Sequence, residues 1–375
     1  MEDKTVALYF SNLNHDSLLD VLLKALKKMN CKVILFMAEG ISQNVFTDEE
    51  LVLQSKISNA RFTPYKVFRA LNDADFVIVD QLYSFRELVS FNIFRIKRPN
   101  LMLVHNCNTW FFPTRPTRFV HRVKYYLTRY ISRRVGYFSV AGENMLSYCT
   151  ETLGKKNVVL VPFRYADFDK NMPLPEYKPG QPIRVVVPGM ISSRRKYHGL
   201  LEAIGQEELK DKVELVLLGR PDGLYGREIL RKAGDLISEG YKIIYWTQYI
   251  GKEEFELEIR NAHMLFSHLD SDYFTNNGQH EVYGVSKETG IALLMYNQAK
   301  VGILPSSFNQ MKSIRNQTIT YRDLDQLKGI LLAIYSGKMD LKEMQLNAIS
   351  NALSMDINDV VQRLQLAYRS QTQHL

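Results

Sequence analysis

The sequence predicts a doubly wound α/β architecture built twice along one chain. Three observations carry that expectation. Short runs rich in Val, Leu, Ile and Phe alternate with helix-periodic segments through the first half. A Pro-dense stretch interrupts the middle, and a second strand–helix series opens directly after it. At 375 residues the chain also exceeds what one hydrophobic core usually fills, so two domains are expected.

Taken in order, Val6–Phe10, Val33–Met37, Phe76–Asp80, Leu101–His105, Tyr137–Ala141 and Val158–Phe163 are the strand-like runs of the first half. Leu18, Leu19, Leu22, Leu23 and Leu26 recur at helical spacing between the first two. This βαβα order, with nearly continuous apolar strands, calls for a parallel sheet covered by helices on both faces. Residues 167–182 read as a linker containing Pro173, Pro175, Pro179 and Pro182. The second series covers about 183 to 310, with strands at Arg184–Pro188, ending at Gly219 and ending near Tyr249. Beyond Asp323 the pattern is helical only, with helices expected over Leu324–Tyr335, Leu341–Leu353 and Ile357–Tyr368. The expected division is an N-terminal Rossmann-like domain at 1–166, the linker, a C-terminal Rossmann-like domain at 183–335 and C-terminal helices at 336–375.

Composition narrows the class. With 46% hydrophobic and 23% charged residues the chain is an ordinary globular protein. No apolar run approaches the ~18 residues of a spanning helix, and Met-Glu-Asp-Lys at the start lacks a signal-peptide layout. Cys31, Cys107 and Cys149 stand far apart with no CxxC pair. That spacing fits a reducing cytoplasm and argues against a disulfide framework or a zinc site, and no residue is assigned to a metal.

Charge is uneven. The net charge is +8, yet no acidic residue occurs between Glu87 and Glu143. That interval holds Arg95, Lys97, Arg98, Arg115, Arg118, Arg122, Lys124, Arg129, Arg133 and Arg134. From Arg115 to Arg134 the cations are interleaved at helical spacing with Phe119, Val123, Tyr126, Leu127, Tyr130 and Ile131, after Trp110, Phe111 and Phe112. A basic amphipathic helix with neighbouring aromatics suits an anionic membrane surface or a lipid-linked acceptor. The same apolar stripe also fits a plain core-facing helix. Nucleic acid is disfavoured because no RNA- or DNA-binding motif accompanies the charge.

The chemistry-bearing positions lie at strand ends. Gly189 closes an apolar strand and is followed by Arg194, Arg195 and Lys196, then by a helix beginning near Tyr197. Glycine permits close backbone approach, and guanidinium groups bind diphosphate oxygens in pairs. Ser286, Lys287, Thr289 and Gly290 form a second turn before the helix carrying Ile291–Leu294. Ser286 and Thr289 are candidate caps, and the exposed N–H groups of that helix can hold phosphate. His105 ends a strand-like run, where α/β sheets present catalytic side chains, and an imidazole there can act as base or donor. Cys107 has no neighbour marking it as an activated thiol. No GxGxxG follows the first strand, where Ser11–Asp16 stands, and no Gly-x4-Gly-Lys-Ser/Thr occurs. This weakens an NAD-dependent reading considerably and removes an ordinary P-loop kinase.

Together these residues resemble GT-B glycosyltransferases, two-Rossmann-domain enzymes using nucleotide-sugar donors, especially bacterial polysaccharide and lipopolysaccharide types. The resemblance follows element order over nearly the whole chain. It is strongest at Val187–Leu201, Val213–Gly219, Ile243–Leu269 and Tyr283–Pro305. It implies that the C-terminal half binds the nucleotide diphosphate and the N-terminal half the acceptor, with chemistry in the cleft between them and a final helix returning to the first domain. By position it makes Gly189, Arg194, Arg195 and Lys196 the donor-phosphate turn and Ser286–Gly290 the second phosphate contact. It turns His105 toward the transferred sugar, and makes Tyr249 and Ile250 backbone contacts of the base. Many relatives carry two acidic residues eight apart, the second holding the donor ribose. Aligning Ala299-Lys300-Val301 with the following turn puts Leu294 at that second position.

The resulting expectation is a metal-independent glycosyltransferase. It would be cytoplasmic and peripheral on the inner face of a bacterial membrane, and would transfer sugar from a nucleotide-diphosphate sugar to a glycan or lipid-linked acceptor. No permanently bound cofactor is expected. The alternatives are a sugar-nucleotide epimerase on the same fold, or a glycosyltransferase-like binding protein without activity.

Overall fold

Buried apolar runs in the first half pair side by side because each is covered on both faces. In chain order the elements are β1 (Thr5–Phe10), α1 (Asp16–Lys28), β2 (Lys32–Ala38), β3 (Leu51–Ile57), α2 (Tyr65–Asp73), β4 (Phe76–Val79) and α3 (Phe85–Ile93). There follow β5 (Asn100–Leu103), α4 (Cys107–Phe111), α5 (Phe119–Ser132), β6 (Tyr137–Val140), α6 (Glu143–Ser147) with a π-helical turn at Tyr148–Thr152, and β7 (Val158–Leu160). The computed structural model describes residues 1–11, 16–38, 51–57, 62–162, 177–269, 272–275, 278–354 and 356–373. Most of the expected linker, and residues 12–15 of the Ser11–Asp16 segment, lie outside them.

The chain divides into two units. Unit 1 comprises Met1–Tyr165, Asp272–Glu288 and Met355–Leu375, and unit 2 comprises Ala166–Ser271 and Thr289–Ser354. In unit 1 the seven strands run parallel in the order β3-β2-β1-β4-β5-β6-β7. Val6–Phe10 of β1 and Phe76–Ile78 of β4 are wholly buried at its centre. Local signals set the helix ends. Ser84 and Glu87 form a capping box at the start of α3, each satisfying the other's backbone N–H.

Unit 2 opens with β8 (Ile183–Pro188), α7 (Tyr197–Ile204), β9 (Val213–Leu218), α8 (Gly223–Ser238), β10 (Lys242–Tyr245), α9 (Lys252–Asn261) and β11 (Met264–Phe266). The chain then forms the antiparallel hairpin β12 (Asp272–Phe274) and β13 (His280–Val282), which groups with unit 1. It returns as α10 (Gly290–Asn297), β14 (Val301–Pro305), β15 (Thr318–Tyr321), α11 (Leu324–Tyr335) and α12 (Lys342–Leu353), before α13 (Ile357–Thr372). The second sheet is parallel in the order β10-β9-β8-β11-β14-β15. Strand order therefore reverses between β8 and β11, the switch point beside which doubly wound sheets bind ligands.

Unit 2's core joins Val185, Val187, Leu215, Leu217, Met264, Phe266 and Ile303 of the sheet to Leu200, Ile229, Leu331 and Ile334 of the helices. In unit 1, α13 lies against α1, and Tyr368 meets Phe76 edge-to-face at 5.5 Å. Gln371 pairs with the backbone of Asn100 in both directions, at 2.9 and 3.2 Å.

Several elements depart from the sequence expectation, among them β15, which lies beyond the expected end of the second series. The edge strand β3 was not foreseen, because Gln54, Ser55 and Lys56 break its apolar pattern. The hairpin was not foreseen either, since Asp272, Tyr273, His280 and Glu281 give no strand-like alternation. The strand expected to end near Tyr249 stops at Tyr245.

Candidate functional site

In unit 2 the ends of β8 and β9 approach each other closely. Gly189 adopts φ +98°, a left-handed conformation that side chains rarely take. A Cβ on Gly219 would stand 2.2 Å from the Gly189 carbonyl oxygen, so both positions admit only glycine. Ile191 and Asp222 bond the facing loop's backbone, holding the two turns as one ribbon.

The basic turn divides its labour. Arg195 folds back, its guanidinium donating to the Pro188 carbonyl and lying against Gly189. Its own carbonyl accepts from the Tyr225 hydroxyl at 2.9 Å. Arg195 therefore shapes the turn. Arg194 and Lys196 are exposed beside it, and Lys196 is the N-cap residue of α7. Tyr249 is 79% exposed and Ile250 buried, in the loop leading to α9.

The second turn separates. Thr289 caps α10, its hydroxyl accepting from Ala292 N at 3.4 Å, and Gly290 opens the helix with open space where a Cβ would be. Contrary to the sequence expectation, Ser286 does not cap α10. It is buried in unit 1, donating to Glu281 at 2.6 Å and accepting from Val282 N at 2.9 Å. Lys287, also in unit 1, donates to the Asn106 side-chain oxygen and lies 5.4 and 5.8 Å from the rings of Tyr273 and Tyr283. Leu294 is buried in α10, so no carboxylate stands at that position.

In unit 1 the strands end earlier than expected, releasing Asp80 and His105 into the loops after β4 and β5. His105 Nε2 lies 2.7 Å from Asp80 Oδ1, with Asp80 wholly buried and His105 11% exposed. A carboxylate only accepts, so in this pair Nε2–H donates to Asp80. Gln81 fixes the same loop, its side-chain oxygen accepting from His105 N at 2.8 Å and Asn106 N at 3.1 Å. Sequence reading missed the roles of Asp80, Gln81 and Glu281. For Asp80 the available signal was an acidic residue terminating an apolar run.

Cys107 is no nucleophile. Its thiol is wholly buried and shares a hydrogen bond with that of Cys149 at 3.4 Å, and that bond and then burial push its pKa well up. Among the basic residues, Lys124 turns inward to donate to the Tyr83 carbonyl at 2.9 Å, and burial pulls its pKa down. It is therefore not part of an outward patch. Arg134 lies 3.5 Å over the ring of Tyr130. Arg115, Arg118, Arg129 and Arg133 are exposed and Arg122 half-buried. Phe119, Val120, Tyr126 and Tyr130 are exposed among them, at 73, 67, 52 and 41%. The stripe on α5 is thus not simply a core face; only Thr128 and Ile131 are buried. Among the described residues no helix is long and apolar enough to cross a membrane.

No protein-family model matches the chain, and no curated protein matches it by sequence. Solved structures do. A glycosyltransferase from Rickettsia africae ESF-5 is similar at TM-score 0.67 and 13% identity, over 99% of both chains. HepE of Anabaena in complex with UDP is similar at 0.66 and 13%, over 98% of this chain and 100% of that one. The lipopolysaccharide outer core galactosyltransferase WaaB is similar at 0.61 and 11%, over 98% and 99%. Likeness at such identity speaks to architecture, and function is argued from the sites. Two Rossmann-like units and whole-chain similarity to these glycosyltransferase structures give the chain the GT-B fold.

Proposed function

We propose that the protein is a glycosyltransferase taking a nucleotide-diphosphate sugar as donor. The observation that carries this reading is the glycine-lined turn at the carboxyl end of β8, beside the sheet's switch point, with Arg194 and Lys196 exposed next to it. As the glycosidic bond to the nucleotide breaks, negative charge grows on the departing diphosphate. Fixed cations and the N–H groups of a helix start stabilise that charge, and in this reading they do so without a metal ion. The capped start of α10 at Thr289 and Gly290 supplies a second group of such N–H donors in unit 2.

His105 is the proposed catalytic side chain. With Nε2 bonded to Asp80, its Nδ1 can accept a proton from, or orient, a sugar or acceptor hydroxyl. The acceptor is proposed to be a glycan or lipid-linked sugar. The exposed aromatic and cationic side chains of α5 would hold the enzyme at an anionic membrane surface on the cytoplasmic face.

HepE has crystal structures in complex with UDP-glucose as well as UDP, so uridine diphosphate is the first nucleotide to titrate. Calorimetry and thermal shift with uridine and guanosine diphosphates test the reading. Binding of one of them, with sugar transfer to a glycan, is expected; a folded protein that binds neither would sink it. Leu294 favours a second reading, a binding protein of this fold, which predicts diphosphate binding without transfer.

A further inference from the structure

The β12–β13 hairpin lies in sequence between β11 and α10 of unit 2, yet it groups with unit 1. Its contact there is polar and specific. Glu281 is wholly buried, and its carboxylate accepts from Asn108 N at 3.3 Å, Thr109 N at 2.7 Å, the Thr109 hydroxyl at 2.8 Å and the Ser286 hydroxyl at 2.6 Å. Burial raises its pKa while these four donors oppose the rise.

The bonds form a sequence along the backbone. His105 N and Asn106 N donate to Gln81, Cys107 N donates to the Ser286 carbonyl at 2.9 Å, and Asn108 N and Thr109 N donate to Glu281. Every N–H from His105 to Thr109 is therefore accepted from outside the segment. Glu281 of the hairpin and Ser286 in the turn that follows it supply the acceptors for the last three. Helix α4 has only five residues, too few to hold its own shape, so its first turn depends on these partners.

We propose that Glu281 is a positioning residue for His105: from the hairpin it clamps the first turn of α4, and through it the backbone that aims the imidazole at the transferred sugar. The proposal rests on His105 acting in the transfer described above. A carboxylate suits the task because both oxygens accept and neither donates. The amide of Glu281→Gln would turn an NH2 group toward backbone N–H donors.

The test is Glu281→Gln, with Glu281→Asp as the conservative variant and Thr109→Val removing one donor from the α4 side. Expected in Glu281→Gln is a loss of kcat of about tenfold or more, with KM for the nucleotide sugar within about twofold, because a misaimed group costs turnover rather than ground-state binding. Glu281→Asp should recover part of that loss. Long-range proton–nitrogen spectra of the His105 ring supply a readout independent of turnover. Shifted His105 nitrogen resonances in Glu281→Gln, or in Thr109→Val where the first does not fold, support the clamp. Resonances superimposing on those of the wild type in a folded variant would overturn it. Absence of transfer by the wild-type protein from any nucleotide sugar would sink the transferase reading instead, while the ring spectra still decide the clamp.

Discussion

Lys300 offers a measurement in which the structure sets sign and size together. It lies between α10 and β14, only 3% exposed, and donates from Nζ to the carbonyls of Arg260 at 2.6 Å and Ala262 at 2.9 Å. Burial, and secondarily the nearby Arg260, pull its pKa down to about 7. A neutral amine retains two N–H bonds, enough for both carbonyls. In the unfolded chain the same group titrates near ~10.4. Between about pH 7 and ~10.4 the unfolded state therefore binds more protons, and folding becomes more favourable as pH rises. Below about pH 7 both states are protonated, and the folded state carries the full cost of a buried charge. The difference of about 3.4 units, at about 1.4 kcal/mol each, caps the effect near ~5 kcal/mol. With solvent relaxation around the buried group, about half of that is expected. Replacement by Met removes the titration. Unfolding followed from pH 6.5 to 9.5 should therefore show the wild type gaining about 2 kcal/mol on Lys300→Met, or roughly 4–8 °C in the melting of a unit this size. Parallel pH profiles for the two proteins would refute the neutral buried amine.

The remaining predictions concern the sites. Gly189→Ala forces a side chain into φ +98° and brings Cβ within 2.7 Å of the Arg195 guanidinium. It should lower both melting temperature and diphosphate affinity, the affinity by about tenfold; unchanged titrations would remove the turn from the binding site. Replacing Arg194 and Lys196 with Ala should weaken diphosphate binding by about 2 kcal/mol without altering melting, whereas Arg195→Ala should alter melting first. Asp80→Asn places an amide where a carboxylate accepts from His105 Nε2, favouring the wrong tautomer. Transfer should fall about a hundredfold with donor affinity retained, and full turnover would dismiss the pair. Anionic vesicles should sediment the protein, less so as salt rises, with about 1 kcal/mol lost for each of Arg118, Arg129 and Arg133 changed to Ser. Equal recovery on neutral vesicles would contradict an electrostatic contact.

Most of the architecture was legible because parallel strands buried on both faces write themselves as apolar runs. The strands that became β1, β2 and β4 to β9 all show that signature, and Gly189 marked the carboxyl end of the first strand of unit 2. What escaped reading was polar or edge-bound: β3 with its Gln-Ser-Lys interruption, and the hairpin with its acids and imidazole.

The site shows the same divide more sharply. Local sequence alone determined that Gly189, the basic residues after it and a cap at Thr289 would stand at strand-to-helix junctions, since turn chemistry is decided by neighbours a few residues away. It could not assign Arg195 to bracing its own turn or Lys124 to the Tyr83 carbonyl, because only packing decides which cation turns inward. Nor could it pair Asp80 with His105 across 25 residues, or Glu281 with Thr109 across 172. Those pairings come from strand order and from the hairpin's docking on unit 1. Hydrogen bonds between distant segments leave no periodicity in a chain, and exist only once the backbone has brought donor and acceptor within 3 Å or so.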